Sequence, residues 1–232
     1  MTVIMTKLMP WRIRGNFIIH NLYFTTICLI FVAKINNPTS FTMPVIRKEL
    51  CDMTIEELWD LFPIVLTPHQ PHWREWAEDE IGLLSVLLAR FNPAINHIGS
   101  TAIPNIQAKP IIDLLVEIPP EINQTDVRDI MERNGYICMA AGPTRMSFNK
   151  GYTPDGFAEK VFHIHLRVIG DNDEIYFCDY LRVHPESAYE YETLKLSLLP
   201  KYRNNRDGYT EAKTNFVTET TRRAKQSALK RP

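Results

Sequence analysis

Apolar residues recur at helical spacing over six stretches of the chain, and these stretches predict helices. The longest covers residues 72–91, where tryptophan, isoleucine and leucine fall near every third or fourth position. Another begins at Thr54, which precedes Glu57 by three residues in the order typical of a capping box. The predicted helices cover residues 54–61, 72–91, 125–134, 174–183, 186–199 and 207–226. The C-terminal third of the chain is therefore predicted to be helical.

Short apolar runs between these helices predict strands. One run, from Ile95, ends at a small-residue turn, and a second apolar run after that turn ends at Ile118. The predicted strands cover residues 64–66, 95–98, 111–118, 136–140, 145–149 and 160–168, with a connection over 150–159. Because strands and helices do not alternate regularly, the pattern favours an α+β fold with a mixed or antiparallel sheet packed against helices.

Composition adds little beyond a globular class. The chain has 232 residues, 45% of them hydrophobic, and a net charge of -1, so it gives no strong nucleic-acid signal. An acidic run at Glu78–Glu80 is predicted to be a solvated helix face. The four cysteines are far apart and form no CxxC pair, which favours a reducing compartment and a cytoplasmic location.

The N-terminal 42 residues differ from the rest. Residues 16–33 are strongly apolar and follow basic residues, as in a signal peptide or a membrane anchor. The alternative is an extension upstream of the true start, because the composition changes abruptly at Met43. We therefore divide the chain into an extension, 1–42, and a domain, 43–228. Membrane contact is expected only if residues 16–33 are retained and inserted.

Residues 95–118 contain the strongest candidate chemistry. A Gly99-Ser100 turn can hold a phosphate through backbone N–H groups, although such turns are common in loops. Asp113 lies in the following apolar strand, where an unpaired carboxylate is costly to bury. On a strand, Asp113 and Glu117 share a face, and carboxylate oxygens suit Mg²⁺ or Mn²⁺. The alternative is a structural ion pair between Asp113 and either Lys109 or an arginine.

Histidines and basic residues supply further candidates. His163 and His165 share a face of one predicted strand and could bind a metal, hold a phosphate or act as acid and base. His97 precedes the Gly99 turn and could join them. The candidate phosphate contacts are Lys109, Arg145 and Lys213. Each of these charges, taken singly, also fits a solvated surface.

Several motifs together resemble the GrpB family, which is similar to the polymerase-β-type nucleotidyltransferases. They are HIGSTAIPNIQAKPIIDLLVEI at 97–118, RMSFNKGYTPDGFAEKVFHIHLRV at 145–168, DYLRVHPESAYEYETLK at 179–195 and YTEAKTNFV at 209–217. The resemblance implies a nucleotidyltransferase-like fold, a nucleotide held at Gly99-Ser100, and Asp113 as the first ligand of a magnesium pair. It covers about residues 44–225.

The sequence departs from that superfamily at the second acidic position. Leu115 stands where a second carboxylate is expected, and a histidine occupies the strand expected to carry a third. Two functions remain open. One is a metal-dependent nucleotidyltransferase that uses Asp113, Glu117, His163 and His165. The other is a catalytically degenerate module that binds a nucleotide or a small phosphorylated molecule in an accessory role.

Overall fold

A computed structural model describes residues 48–228, in which seven helices surround a five-stranded sheet. The strands are β1 (Ala94–Ile98), β2 (Ile112–Ile118), β3 (Ile137–Ala141), β4 (Arg145–Thr153) and β5 (Gly156–Val168). The helices are α1 (Ile55–Leu61), α2 (His72–Leu87), α3 (Gln124–Arg133), α4 (Asp173–Val183), α5 (Pro185–Tyr202), α6 (Arg206–Glu211) and α7 (Thr214–Ala228).

The sheet is mixed, with the strand order β1-β2-β5-β4-β3. The central pair, β2 and β5, is parallel, and the other three pairs are antiparallel. In the register of the central pair, Asp113 lies beside His163, and Leu115 lies beside His165. The predicted α+β class, mixed sheet and helical C-terminal third are confirmed.

The side chains of β2 point alternately to the two faces of the sheet. Ile112, Leu114, Val116 and Ile118 are fully buried in the main core, where Leu84 and Leu88 also lie. Because side chains alternate along a strand, Asp113 and the residues in phase with it face the other side. On that side, residues of the loop after β1 pack with α4 and α5 in a second apolar cluster.

Residues 64–66 were predicted as a strand and are not one. Within the described chain, the region forms a single bridge between Thr67 and Ala108, and the Ile64 N–H donates to the Arg203 carbonyl at 2.8 Å. Pro63 and Pro68 flank the run, and proline cannot donate to a sheet. Burial of Ile64, which is 2% exposed, explains its apolar character without a strand.

The connection predicted at 150–159 is wrong in its extent. Strands β4 and β5 continue as a hairpin to a turn at residues 154–155, so Lys150 lies within a strand. The register shifts between Lys150 and Tyr152, and Gly151 at that bulge has φ +88°. A glycine inside a strand commonly marks such a bulge, and the same residue type also favours a loop, which explains the incorrect prediction.

Two of the predicted helices differ from their expected extents, because one ends early and the other is interrupted. Helix α2 ends at Leu87, followed by a 3₁₀ turn over Ala89–Phe91. The helix predicted over 207–226 is two helices, and Lys213 lies in the break between α6 and α7. None of the helices in residues 48–228 is long and apolar enough to cross a membrane. The apolar segment 16–33 and the rest of the predicted extension lie outside the described residues.

Glu80 was expected to be solvated and is instead buried beside the sheet. It is 5% exposed, and its carboxylate accepts hydrogen bonds from the Tyr136 hydroxyl at 2.5 Å and the Lys150 ammonium at 2.8 Å. The Lys150 Nζ also lies 4.7 Å from the centre of the Tyr136 ring. This network ties α2 to β4.

Replacing Lys150 by methionine is expected to lower the free energy of unfolding by about 2–3 kcal/mol, because it removes the cation that faces a buried carboxylate. Lys160→Met is the matched control, since Lys160 pairs with Asp79, whose side chain is 72% exposed. The control should cost at most about 1 kcal/mol. Urea unfolding measures both, and equal losses would show that the Glu80 pair is no stronger than a surface pair.

Candidate functional site

The Gly99-Ser100 turn lies directly against Asp113. Gly99 has φ +73°, a conformation that favours glycine, and an added Cβ would lie 2.9 Å from the Asp113 Cβ. Ser100 follows at the start of a 3₁₀ turn, and it lines the same cavity as Tyr191. Glycine is therefore required at position 99 both by the backbone conformation and by the approach of the carboxylate.

Side chains from two other elements hold the turn in place. The hydroxyl of Thr101 lies 3.0 Å from His97 Nε2 and donates to the Ile111 carbonyl at 3.3 Å. The Arg182 guanidinium donates to the carbonyls of His97, at 3.1 Å, and Ala102, at 3.0 Å, on the two sides of the turn. Burial lowers the pKa of His97 to about 4, so this ring is neutral at pH 7. His97 therefore supports the turn through its contact with the Thr101 hydroxyl.

Replacing Arg182 by lysine should loosen the turn, because an ammonium cannot reproduce the guanidinium fork that reaches two carbonyls. We expect a loss of about 1 kcal/mol locally, seen as faster hydrogen exchange of the amides of residues 99–103. Arg222→Lys serves as the control, because Arg222 pairs with the exposed Glu219 on α7. Unchanged exchange at the turn in Arg182→Lys would contradict this role.

Asp113 is the carboxylate of the site, and two histidines contact it. Its Oδ1 lies 3.4 Å from His163 Nδ1 and 3.4 Å from His165 Nε2. Burial alone would raise the pKa of Asp113, but hydrogen bonds from both imidazoles outweigh it and hold that pKa far below its usual range. Asp113 is therefore ionised at neutral pH.

The His163 ring joins Asp113 to Tyr152. Its Nε2 lies 2.7 Å from the Tyr152 hydroxyl, and the two rings stack with centres 5.9 Å apart. A proton on Nδ1, facing the carboxylate, leaves Nε2 to accept from the tyrosine. Burial lowers the pKa of His163, which opposes a charged ring. His163 is thus held on both sides within the protein.

Four cationic side chains line a cavity of about 290 Å³ that opens beside this carboxylate. They are Lys109, Lys195, Arg206 and Lys213. The Nζ atoms of Lys109 and Lys213 lie 6.0 and 4.5 Å from the centre of the Tyr209 ring. Lys195 is 2% exposed, and it donates to the Gln107 carbonyl. Among residues 48–228, no carboxylate lies within ion-pair distance of any of the four.

The lysines are destabilised as cations by their surroundings. Burial is the main cause, and it lowers the pKa of Lys109 to about 7, of Lys195 to about 7 and of Lys213 to about 8. The neighbouring positive charge of Lys213 acts in the same direction on the other two. A negative charge in the cavity would raise the pKa values of these lysines and so oppose both effects.

Three predicted site residues do not line the cavity, and they are His97, Glu117 and Arg145. Glu117 is four residues along β2 from Asp113, about 13 Å at strand rise. Its carboxylate accepts from the Gly170 N–H at 3.0 Å and from the Asn172 side chain at 3.2 Å. Arg145 forms an ion pair with Asp171. Sharing a strand face with Asp113 did not place Glu117 at the same end of the strand.

The donor set does not fit a pair of magnesium ions. Magnesium takes oxygen ligands, and among the residues that the structure describes Asp113 is the one carboxylate that lines the cavity. Leu115, which is fully buried, fills the second acidic position. Within residues 48–228, no three His, Cys, Asp or Glu side chains are arranged to hold a metal ion together. The contacts between Asp113 and the two histidines are those of hydrogen bonds.

The family model described as GrpB protein matches residues 63–223. The chain belongs to the GrpB family. A UPF0157 protein of Pseudomonas aeruginosa is 34% identical over 164 residues, which cover 69% of this chain and 67% of that protein. The crystal structure of the conserved protein GrpB from Enterococcus faecalis matches with a TM-score of 0.62 and 31% identity, over 72% of this chain and 100% of that chain.

Relatives in this family differ in length. The UPF0157 protein YqkA of Bacillus subtilis is 28% identical over 177 residues, and the match covers 75% of this chain but 51% of YqkA. This chain therefore spans about half the length of that GrpB relative.

Four charged or aromatic residues of the cavity in this GrpB protein were not predicted. Lys195 and Tyr191 come from α5, Arg206 from α6 and Tyr209 from the same short helix. One signal was available, because Tyr191 and Lys195 are four residues apart and share a helix face. The Nζ of Lys195 lies 4.9 Å from the centre of that ring. For Arg206 the local sequence offered no signal.

Proposed function

We propose that this GrpB protein binds the phosphate groups of a nucleotide, or of another small phosphorylated molecule, in the cavity beside Asp113. The observation that carries the proposal is the charge of the cavity. Three lysines and an arginine line it with one carboxylate, and that carboxylate is already hydrogen-bonded to two histidines. Lys195 is buried and the other three cations are partly buried, so their charges without carboxylate partners are costly, and a bound anion offsets that cost.

The Gly99-Ser100 turn supports the same proposal. It contributes a backbone without a side chain at Gly99 and a hydroxyl at Ser100, and both residues line the cavity. Turns of this kind hold phosphates in the nucleotidyltransferases that the family resembles. The cavity volume of about 290 Å³ is at the lower end of the range for small-molecule sites.

Binding in an accessory or regulatory role is favoured over metal-dependent nucleotidyl transfer. The transfer reaction of the resembled superfamily needs a second carboxylate, and Leu115 occupies its position with a fully buried side chain. Asp113, His163 and His165 remain the groups on which any reaction at this site would depend, because they are the ones that meet beside the turn.

A thermal-shift screen with ATP, GTP, CTP and inorganic tripolyphosphate, each with magnesium, manganese or EDTA, tests the proposal. We expect at least one phosphate compound to raise the melting temperature of the full chain. The shift should be smaller in Lys109→Gln and unchanged in Lys160→Gln, a control on an exposed stretch of β5. No shift with any of these compounds would overturn the proposal. Product analysis of the same mixtures would detect nucleotidyl transfer.

A further inference from the structure

The cavity combines an excess of positive charge with a shortage of metal ligands. In an oxygen-rich metal site, carboxylates outnumber cations, because the ion supplies the positive charge. Here the ratio is inverted, since four basic side chains face one carboxylate. These positively charged side chains would repel a divalent ion in the cavity, and they would attract a phosphate group directly.

The basic side chains are distributed around the cavity, on separate elements. Lys109 precedes β2, Lys195 lies on α5, Arg206 begins α6, and Lys213 lies between α6 and α7. Aromatic rings fix several of them, since Tyr209 lies under both Lys109 and Lys213. Charges spread in this way suit a ligand with several phosphate groups better than one with a single phosphate.

Asp113 has a use that requires no metal. Its Oδ1 is shared by His163 and His165, and the other nitrogen of His163 is occupied by Tyr152. The carboxylate thereby fixes two rings that line the cavity and also lies against Gly99 of the turn. Asp113 is therefore a positioning residue, because it holds the two histidine rings and the turn in place.

We propose that this site binds a di- or triphosphate group without a divalent metal ion, with the lysine and arginine side chains in the place of the ions. The inference rests on the proposed function, because it concerns the same cavity. It differs in stating which form of the ligand is recognised. Free polyphosphate or a metal-free nucleotide is expected to bind at least as tightly as its magnesium complex, since magnesium neutralises the charge that the lysines recognise.

Isothermal titration calorimetry on the full chain tests this directly. Inorganic tripolyphosphate and ATP are each titrated in EDTA and in excess magnesium chloride. The expected result is binding in EDTA that weakens when magnesium is added. Binding in magnesium that disappears in EDTA would overturn this inference and leave the proposed function standing. Absence of binding in both solutions would overturn the proposed function and this inference with it.

Two variants separate the role of Asp113 from that of the lysines. Asp113→Asn removes the negative charge that Asp113 contributes to the cavity, so the affinity for tripolyphosphate in EDTA should stay the same or rise. If Asp113 were instead a metal ligand, the variant would bind tripolyphosphate more weakly than the wild type in magnesium. Lys213→Gln should lower affinity about 10-fold, in line with the loss of one charged hydrogen bond. Arg222→Gln, on the exposed face of α7, is the control. If a folded Asp113→Asn protein lost binding in magnesium but showed no such loss in EDTA, that result would contradict the inference.

Discussion

Lys195→Met is expected to raise the stability of the protein at pH 7 and to weaken phosphate binding. Lys195 is 2% exposed and has no carboxylate within ion-pair distance in the described chain, so its charge is buried at a cost. Replacing a buried charge by an apolar side chain of similar length commonly stabilises a protein by about 1–3 kcal/mol. The carbonyl of Gln107 loses a donor, which offsets about 1 kcal/mol of this gain.

The sign of the pH dependence supplies a check on the cause. The pKa of Lys195 falls from 10.5 to about 7 on folding, because of burial and the charge of Lys213. At high pH the lysine is neutral in both states, and at low pH its charge destabilises the folded state. Stability from this residue therefore rises as pH increases from about 7 to about 10. The advantage of the methionine variant should shrink over that range.

Chemical denaturation of both proteins between pH 7 and pH 10 measures the effect, and the same samples give their affinity for tripolyphosphate. We expect the variant to bind at least about 10-fold more weakly at pH 7. A variant that is less stable at every pH would show that Lys195 is a net structural contributor. A variant with unchanged affinity would remove Lys195 from the site.

Gly99→Ala is expected to cost about 2–6 kcal/mol of stability and to abolish phosphate binding. The backbone at Gly99, with φ +73° and ψ -173°, lies in a region essentially confined to glycine, and it costs an alanine about 1–3 kcal/mol. The added methyl group would also overlap the Asp113 side chain, and overpacking of this kind costs about 1–3 kcal/mol more. Either the turn or the carboxylate must move, and both line the cavity.

Gly135→Ala separates the two contributions. Gly135 also has a positive φ, +84°, but an added Cβ would meet no atom within 4 Å. This control should cost about 1 kcal/mol, the conformational part alone, and should leave phosphate binding intact. Equal losses of stability in the two variants would contradict the close packing of Gly99 on Asp113.

The parts of the site that could be predicted from sequence depend on local geometry. Gly99 and Ser100 are adjacent, and His163 and His165 share a face because strand residues two apart always do. Asp113 stands out because a carboxylate is costly to bury in an apolar strand, and the family resemblance points to the same residue. These residues lie together in the structure because the parallel pairing of β2 and β5 brings Asp113 beside His163.

The rest depends on how the C-terminal helices pack on the sheet, which no local pattern specifies. Lys195 lies in a helix rich in charged residues, where a lysine is ordinarily solvated, and its burial follows from contact with Gln107 and Tyr191. The prediction that Glu117 belongs to the site is wrong for a different reason. Periodicity gave its face correctly, but the site is at one end of β2 and Glu117 is at the other, where Gly170 and Asn172 hold it.

The fold shows the same division. The capping box at Thr54 is formed as predicted, with Glu57 bonded to the Thr54 backbone N–H at 2.6 Å. Glu80 could not be placed from sequence, because it occupies a polar position on α2 that another element happens to cover. Its partners Tyr136 and Lys150 are 56 and 70 residues away along the chain.

Titration of ATP into the full chain and into the double variant Lys109→Gln/Lys213→Gln tests the central claim most directly. Circular dichroism of the variant establishes that it is folded. Phosphate recognition by the lysines predicts one ATP bound per wild-type chain and an affinity about 100-fold lower in the variant, as expected for two lost charged contacts. Equal affinity in the two folded proteins would contradict the assignment of this cavity as the phosphate site.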